Sequence, residues 1–204
     1  MIEVAAALFD VKHRAVVSSV AFLIPCDENG AEEINHIPAS LSKVPSPWRT
    51  GMVLLNELLA VSDALVAHNA SFDRQWFGRG VLPAVWLPWL CTQRDFEWGS
   101  RGGANLRDLA VNNGVTVAKA HRALADVELL TGVLANREDL DELLEGAIAP
   151  KMTIAARVTY ERREEAKTRG FNWNRLTRRW EKRVTKEVYA AMTLPFATFI
   201  VDEA

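Results

Sequence analysis

The chain opens on two apolar runs, Glu3 to Phe9 and the valine-rich Ala15 to Ile24, on either side of the polar stretch Asp10-Val-Lys-His-Arg14. Strand-like runs around a short polar turn predict a β-hairpin, and Pro25 ends its second strand. Residues 26 to 50 are polar and carry Pro38, Pro45 and Pro47, the composition of a connecting loop. Thr50 to Leu59 places Met52, Leu55, Leu58 and Leu59 near one face, which predicts a helix. Ala64 to His68 is a short apolar strand that runs through a polar turn, with Ser71 as cap, into a helix opening at Asp73. Val85 to Leu90 is a candidate edge strand interrupted by Pro88. Asn105 to Asn113 reads as a helix with an asparagine cap and Gly114 at its end.

From His121 to Val133, Ala123, Val127, Leu130 and Leu134 recur at the three-to-four spacing of a core-facing helix. Asp126 therefore rides on a packed helix, and His121 sits on the loop that enters it, a rigid carboxylate beside a more mobile proton acceptor. Glu138 to Leu144 predicts a last helical turn or two, and Gly146 to Pro150 a linker, with a domain boundary near Lys151. Beyond it the pattern predicts a strand at Ile154 to Tyr160, a helix at Glu161 to Arg169 closed by Gly170, and strands at Phe171 to Trp173 and Arg179 to Val184. A helix at Lys186 to Met192 and a strand at Ala197 to Val201 complete it. The expected organisation is an α/β domain over 1–150 and a small basic α+β module over 151–204.

Composition adds two constraints. The 204 residues are 49% hydrophobic, enough for one domain with an appendage or for two small ones. Cys26 and Cys91 lie far apart in sequence and offer neither a disulfide framework nor a metal-binding pair, so a reducing, cytoplasmic setting is expected. No run approaches the roughly 20 apolar residues of a membrane span. The net charge of −2 hides an asymmetry: residues 1–150 carry 12 Lys+Arg against 19 Asp+Glu, and residues 151–204 carry 12 against 7. A basic tail on an acidic body points to a polyanion handled by the tail. In that tail Tyr160, Phe171, Trp173 and Trp180 alternate with Arg162, Arg163, Lys167, Arg175, Arg178, Arg179, Lys182 and Arg183. The aromatics either stack on unpaired bases or form the module's own core; the basic residues are the stronger candidates for phosphate contact.

The strand followed by His68-Asn69-x-x-Phe72-Asp73, and about fifty residues later His121-x-Ala-x-x-Asp126, resembles the second and third motifs of the DEDDh 3'-5' exonuclease family. That family includes the proofreading subunit of bacterial DNA polymerase, oligoribonuclease and ribonuclease T, and the resemblance spans roughly residues 1 to 135. It implies a ribonuclease H-like mixed sheet flanked by helices and hydrolysis of phosphodiester bonds by two metal ions, Mg²⁺ or Mn²⁺. Asp126 and Asp73 would be the metal-binding carboxylates, Asp73 through metal-bound waters, and His121 the general base. His68 and Asn69 would shape the turn presenting Asp73 and, with Phe72, contact nucleic acid, joined in the tail by Arg162, Arg163, Arg178, Arg179 and Lys182. Single-stranded DNA or RNA 3' ends are the expected partners, with a replication or repair protein and a second copy of the chain as further ones; no membrane is expected.

The family's first motif, an Asp-x-Glu on a strand preceding the hairpin, has no counterpart, because only Met1 precedes the hairpin. Asp10-Val-Lys12 is the local candidate, but it puts a lysine in the second ligand position and reads as hairpin turn. The expectation is a native chain that begins further upstream, and for the 204 residues as written weak metal binding and little or no activity. Two other readings compete. One is a degenerate exonuclease fold that binds nucleic acid or nucleotide without cutting it; the other is an interaction protein that docks through its acidic body or basic tail.

Overall fold

The computed structural model describes residues 1–103, 105–117 and 122–202, and the chain divides into two compact units, Met1–Ala147 and Ile148–Ala204. In the first unit, β1 (Glu3–Asp10) and β2 (Ala15–Leu23) form the expected antiparallel hairpin, from Glu3 opposite Leu23 to Asp10 opposite Ala15, with an irregularity at Leu8/Phe9. Asp10 closes the turn by accepting from the His13 N–H at 2.7 Å, which is the turn role its place in the sequence predicts. The polar segment after Pro25 contains two short helices, α1 (Glu32–Asn35) and α2 (Ala39–Ser42). The segment is anchored by fully buried Ile37, whose carbonyl accepts from Asn29 at 2.7 Å. Next comes α3 (Trp48–Ala60), which turns Leu55 and Leu58 into a core with Val4, Val20, Ile24 and Leu82.

A parallel pair follows, β3 (Leu65–Ala67) and, after α4 (Ala70–Arg74), β4 (Trp89–Cys91), with Leu65 opposite Trp89 and Ala67 opposite Cys91. The strand expected over Val85 to Leu90 starts only after Pro88. Proline has no N–H to give the ladder, and its carbonyl instead accepts from Leu65 at 2.8 Å. Helices α5 (Leu106–Asn112), α6 (Ala123–Ala135) and α7 (Leu140–Ile148) complete the unit. Asn105 caps α5 by accepting from the Asp108 N–H at 3.0 Å, and Gly114 ends that segment at φ 74. The core here gathers Leu90, Phe96, Trp98, Leu109, Leu129, Val133, Leu134 and Leu140. Leu130 and Leu134 are buried as their spacing predicts, whereas Ala123 and Val127 are half-buried and Leu129 and Val133 share the load.

The described strands of this unit form two two-stranded sheets, β1 with β2 and β3 with β4. The unit is thus a mixed α/β assembly of helices and small sheets. Among the described residues no helix is long and apolar enough to cross a membrane.

The second unit is a four-stranded antiparallel sheet in the order β6-β7-β5-β8. It is made of β5 (Met152–Ala156), β6 (Asn172–Asn174), β7 (Arg179–Val184) and β8 (Thr198–Asp202), with α8 (Arg163–Thr168) and α9 (Lys186–Ala191) between strands. Met152, Ile154, Ala166, Phe171, Val184 and Phe196 make its core. Phe171 is therefore a core residue, while Trp173 is 48% exposed and leans on Trp180 across the β6–β7 ladder.

Two helical glycines face opposite surroundings. A Cβ on Gly51 of α3 would stand 2.4 Å from the Phe22 ring of β2, whereas one on Gly146 of α7 would meet nothing within 4 Å. Alanine gains about 1 kcal/mol in helix propensity at either site. At Gly51 overpacking costs about 1–3 kcal/mol and wins. Thermal melts should show Gly51→Ala lowering Tm and Gly146→Ala raising it; a rise at both would mean that α3 does not lie on Phe22.

Candidate functional site

Asp126 stands in the first turn of α6, half-buried, its N–H donating to the Arg122 carbonyl at 3.0 Å. The residue capping this helix, Arg122, offers no side-chain cap of its own. The cap comes instead from β1. The Glu3 carboxylate accepts from the Ala123 N–H at 2.8 Å, from Arg122 Nε at 3.0 and 3.2 Å and from Arg122 Nη2 at 2.7 Å. The Glu3 side chain is only 10% exposed, and its bond to Arg122 raises the pKa of that guanidinium. Two carboxylates, Glu3 outside the helix end and Asp126 within its first turn, thus sit where the unsatisfied N–H groups and the helix dipole favour negative charge.

Asp73 stands in α4, which opens at the turn that follows β3. The chain reverses at Asn69, which adopts the left-handed conformation (φ 67, ψ 50) that asparagine tolerates better than most residues. Asn69, rather than Ser71, occupies the cap position; Ser71 lies inside the helix and donates to Asn69 Oδ1 at 3.1 Å. Burial pushes the Asp73 carboxyl up to about 6, and the negative charge of Asp126 adds to the shift. His68, at the end of β3, holds its Nδ1 3.1 Å from the hydroxyl of Thr92, which is fully buried just past β4. Burial lowers the His68 pKa against the opposing pull of Asp126, so the ring is neutral at pH 7, and its buried Nε2 finds no hydrogen-bond partner among the described residues.

Asp73, His68 and Asp126 are therefore near enough for one charge to act on the other two groups. His121 lies outside the described residues. Neighbouring carboxylates of this kind either retain a proton on one of them or attract a cation. Their oxygen donors suit Mg²⁺ or Mn²⁺, and Mg²⁺ is commonly held by one or two carboxylates with water and phosphate completing the shell. Among the described residues no group of three or more His, Cys, Asp or Glu side chains is arranged to hold a metal ion. Within the described residues Asp73 and Asp126 offer carboxylate oxygens that a cation could share. Beside Asp73, Asn69 is exposed and Phe72 is 57% exposed, its ring edge-on to Trp76.

In the second unit the basic candidates separate. Arg162 makes two 2.8 Å bonds to Glu165, and Arg163 donates to the Tyr160 carbonyl at 2.7 Å while lying 3.9 Å from that ring's centre. Lys182 reaches the Arg169 carbonyl at 3.4 Å. Arg178 is exposed in the β6–β7 turn at φ 53, and Arg179 is exposed above the Phe199 ring. Sequence reasoning missed Glu3, Arg122 and Thr92. A lone acid in an apolar strand was the available signal for Glu3, and a polar residue closing a buried strand was the signal for Thr92.

Glu3→Ala leaves the Ala123 N–H and Arg122 without their acceptor and should cost about 2 kcal/mol in urea unfolding, as expected for charge-assisted bonds. An unchanged urea midpoint would show that α6 does not depend on the strand. Asp73 gives a separate pH signature. Its folded pKa is raised, so the stability it confers is full below 3.8 and is lost as pH rises through about 6. His68, shifted downward, acts with the opposite sign, its contribution being lost as pH falls below 6.5. Comparing wild type with Asp73→Asn isolates the first. The variant should lack the decline between about pH 4 and pH 6, and a pH-independent difference between the two would contradict the assignment.

Residues 152–201 match a family described as a domain of unknown function, DUF8626. No curated protein matches the chain. A solved structure of exonuclease X in complex with 5' overhanging duplex DNA is similar to it at 24% identity and a TM-score of 0.49, over 67% of this chain and 81% of that one.

Proposed function

We propose that this chain hydrolyses phosphodiester bonds at the 3' ends of single-stranded DNA or RNA, as a Mg²⁺- or Mn²⁺-dependent exonuclease of the DEDDh type. The observation that carries the reading is the meeting of Asp73 and Asp126, in which burial and the neighbouring charge hold the Asp73 proton up to about 6. A divalent cation is the ligand that relieves such a pair, and Asp126 and Asp73 are the residues that would hold it. When bound, that ion supplies Lewis acidity toward water and toward a phosphate oxygen. His121, five residues ahead of Asp126, is the base that takes the proton of the attacking water, a role open to an imidazole with a pKa near about 6.5. Exposed Phe72 offers a ring for the terminal base, and Asn69 an amide for its sugar or phosphate. The neutral His68 ring keeps a second positive charge out of the site. Below about pH 6 Asp73 retains a proton that the cation must displace, so metal affinity and rate rise together as pH passes that value.

One observation favours a second reading, nucleic-acid or nucleotide binding without cleavage: the described residues contain no cluster of three or more metal-ligating side chains. The two readings separate on a 5'-labelled oligonucleotide incubated with the full chain and Mn²⁺. The expected result is a slow ladder growing from the 3' end, faster at pH 7 than at pH 5, and abolished by EDTA. Asp126→Ala or Asp73→Ala should reduce it at least about 100-fold, beyond the about 10–100-fold loss typical of an outer partner of a metal ligand. Binding that survives EDTA with no ladder at any pH would overturn hydrolysis and leave the binding reading.

A further inference from the structure

The two faces of the C-terminal sheet are chemically unlike. Met152, Ile154 and Val184 point to the face covered by Ala166, Phe171 and Phe196. Alternation along each strand sends Thr153 and Ala155 of β5, Arg179, Glu181 and Arg183 of β7 and Phe199 of β8 to the other. Arg157 joins that second face: its N–H continues the β5–β8 ladder by donating to the Ala197 carbonyl at 2.8 Å, two residues beyond Ala155. Ala155 stands opposite both Glu181 and Phe199, so Arg157 and Arg179 are brought to adjacent strands beside the same ring. Their guanidinium carbons lie 5.2 and 5.3 Å from the centre of Phe199.

Like charges on neighbouring strands repel, at a cost that exposed cation–π contacts of about 0.5–1 kcal/mol each only partly offset. Glu181, on this face, is engaged elsewhere. Glu181 accepts from Asn174 at 2.7 Å with one oxygen and from the Thr177 hydroxyl at 2.6 Å with the other. Among the described residues neither Arg157 nor Arg179 pairs with a carboxylate, and both are exposed. The result is a pair of planar cations held on one aromatic ring, with an anion still to be supplied from outside. Guanidinium edges match phosphodiester oxygens in two-point geometry, and guanidinium planes accept stacked bases.

We propose that Arg157, Phe199 and Arg179 form a platform for the phosphate backbone of single-stranded nucleic acid, a surface for the same substrate class that the functional reading above assigns to the chain and which rests on that reading for its ligand. Of the residues that the sequence singles out in this unit, Arg179 belongs to the platform, whereas Arg162, Arg163 and Lys182 are engaged with Glu165, Tyr160 and Arg169. The test uses the full chain in EDTA, so that the acidic site takes no part, and follows the fluorescence anisotropy of a labelled oligothymidylate across a salt series. The double variant Arg157→Ala/Arg179→Ala should bind at least about 10-fold more weakly. Its plot of log K against log salt should flatten by about 1.4, the loss of two phosphate contacts at about 0.7 each for single strands. Phe199→Leu should weaken binding with the salt slope nearly kept, and Arg162→Ala/Arg163→Ala should change neither quantity; equal thermal melts establish that each variant is folded. Wild-type affinity and slope in the double variant, an equal loss in the Arg162/Arg163 control, or no oligonucleotide binding at all would overturn the platform. So would binding through these two arginines to phosphatidylserine vesicles in the absence of oligonucleotide binding. Failure of hydrolysis in the Mn²⁺ experiment leaves each of these outcomes unaffected.

Discussion

A single carboxylate, that of Glu3, ties the start of the chain to the helix on which the candidate chemistry stands. The residues before α6 in the sequence, Ala118-Lys-Ala-His-Arg122, include none of the serine, threonine, aspartate or asparagine side chains that usually satisfy a helix N-terminus. Glu3 meets that need from a strand 120 residues away in sequence, and its remaining lone pairs are taken by Arg122. Burying a carboxylate is costly unless it is paired and fully hydrogen-bonded, and here both conditions are met. The consequence reaches Asp126. Because the helix end is fixed to β1, the aspartate one turn further on is tied to the hairpin as well.

The electrostatics of the site follow from what burial does to unlike groups. Desolvation disfavours the charged form of both Asp73 and His68, so it raises one pKa and lowers the other. Asp126 reinforces the first shift and opposes the second, yet His68 still ends below its ordinary value, which shows that burial outweighs the neighbouring charge there. At pH 7 the site therefore holds carboxylates and a neutral ring. Residues 1–150 already carry seven more acids than bases, so this region repels a polyanion unless a cation intervenes. The positive balance of residues 151–204 acts in the opposite sense.

Local pattern revealed the elements and not their partners. The hairpin, α3, α5 and most of the second unit follow from alternation, helical spacing and punctuation by Gly114, Pro25 and Gly170, all of which act over a few residues. Asp126 could be assigned to a packed helix because its flanking leucines report the core directly. What escaped depends on distance along the chain: the Glu3 clamp and the Thr92 contact that holds His68. The Ser71 cap failed for a different reason. Asparagine at 69 can enter the left-handed region at small cost, so the helix begins earlier than the serine would set it.

The basic tail shows how little a charge count says about a surface. Arg162, Arg163 and Lys182 contribute to the total as much as Arg157 and Arg179 do, but the first three are tied to groups of their own unit. A guanidinium already satisfied by a carboxylate must give up that bond before it can hold a phosphate, and the exchange gains little. One resting on a ring, by contrast, keeps its N–H edge free of such a debt and its plane fixed. The sorting is made by the two-residue period of β5 and β7, which sends 155 and 157, and 179 and 181, to the face away from the core. A one-residue slip of β7 would put Trp180 and Lys182 on that face and turn Arg179 toward Phe171, so the hydrophobic demand of Val184 and Ile154 fixes the register and, with it, which arginines are available.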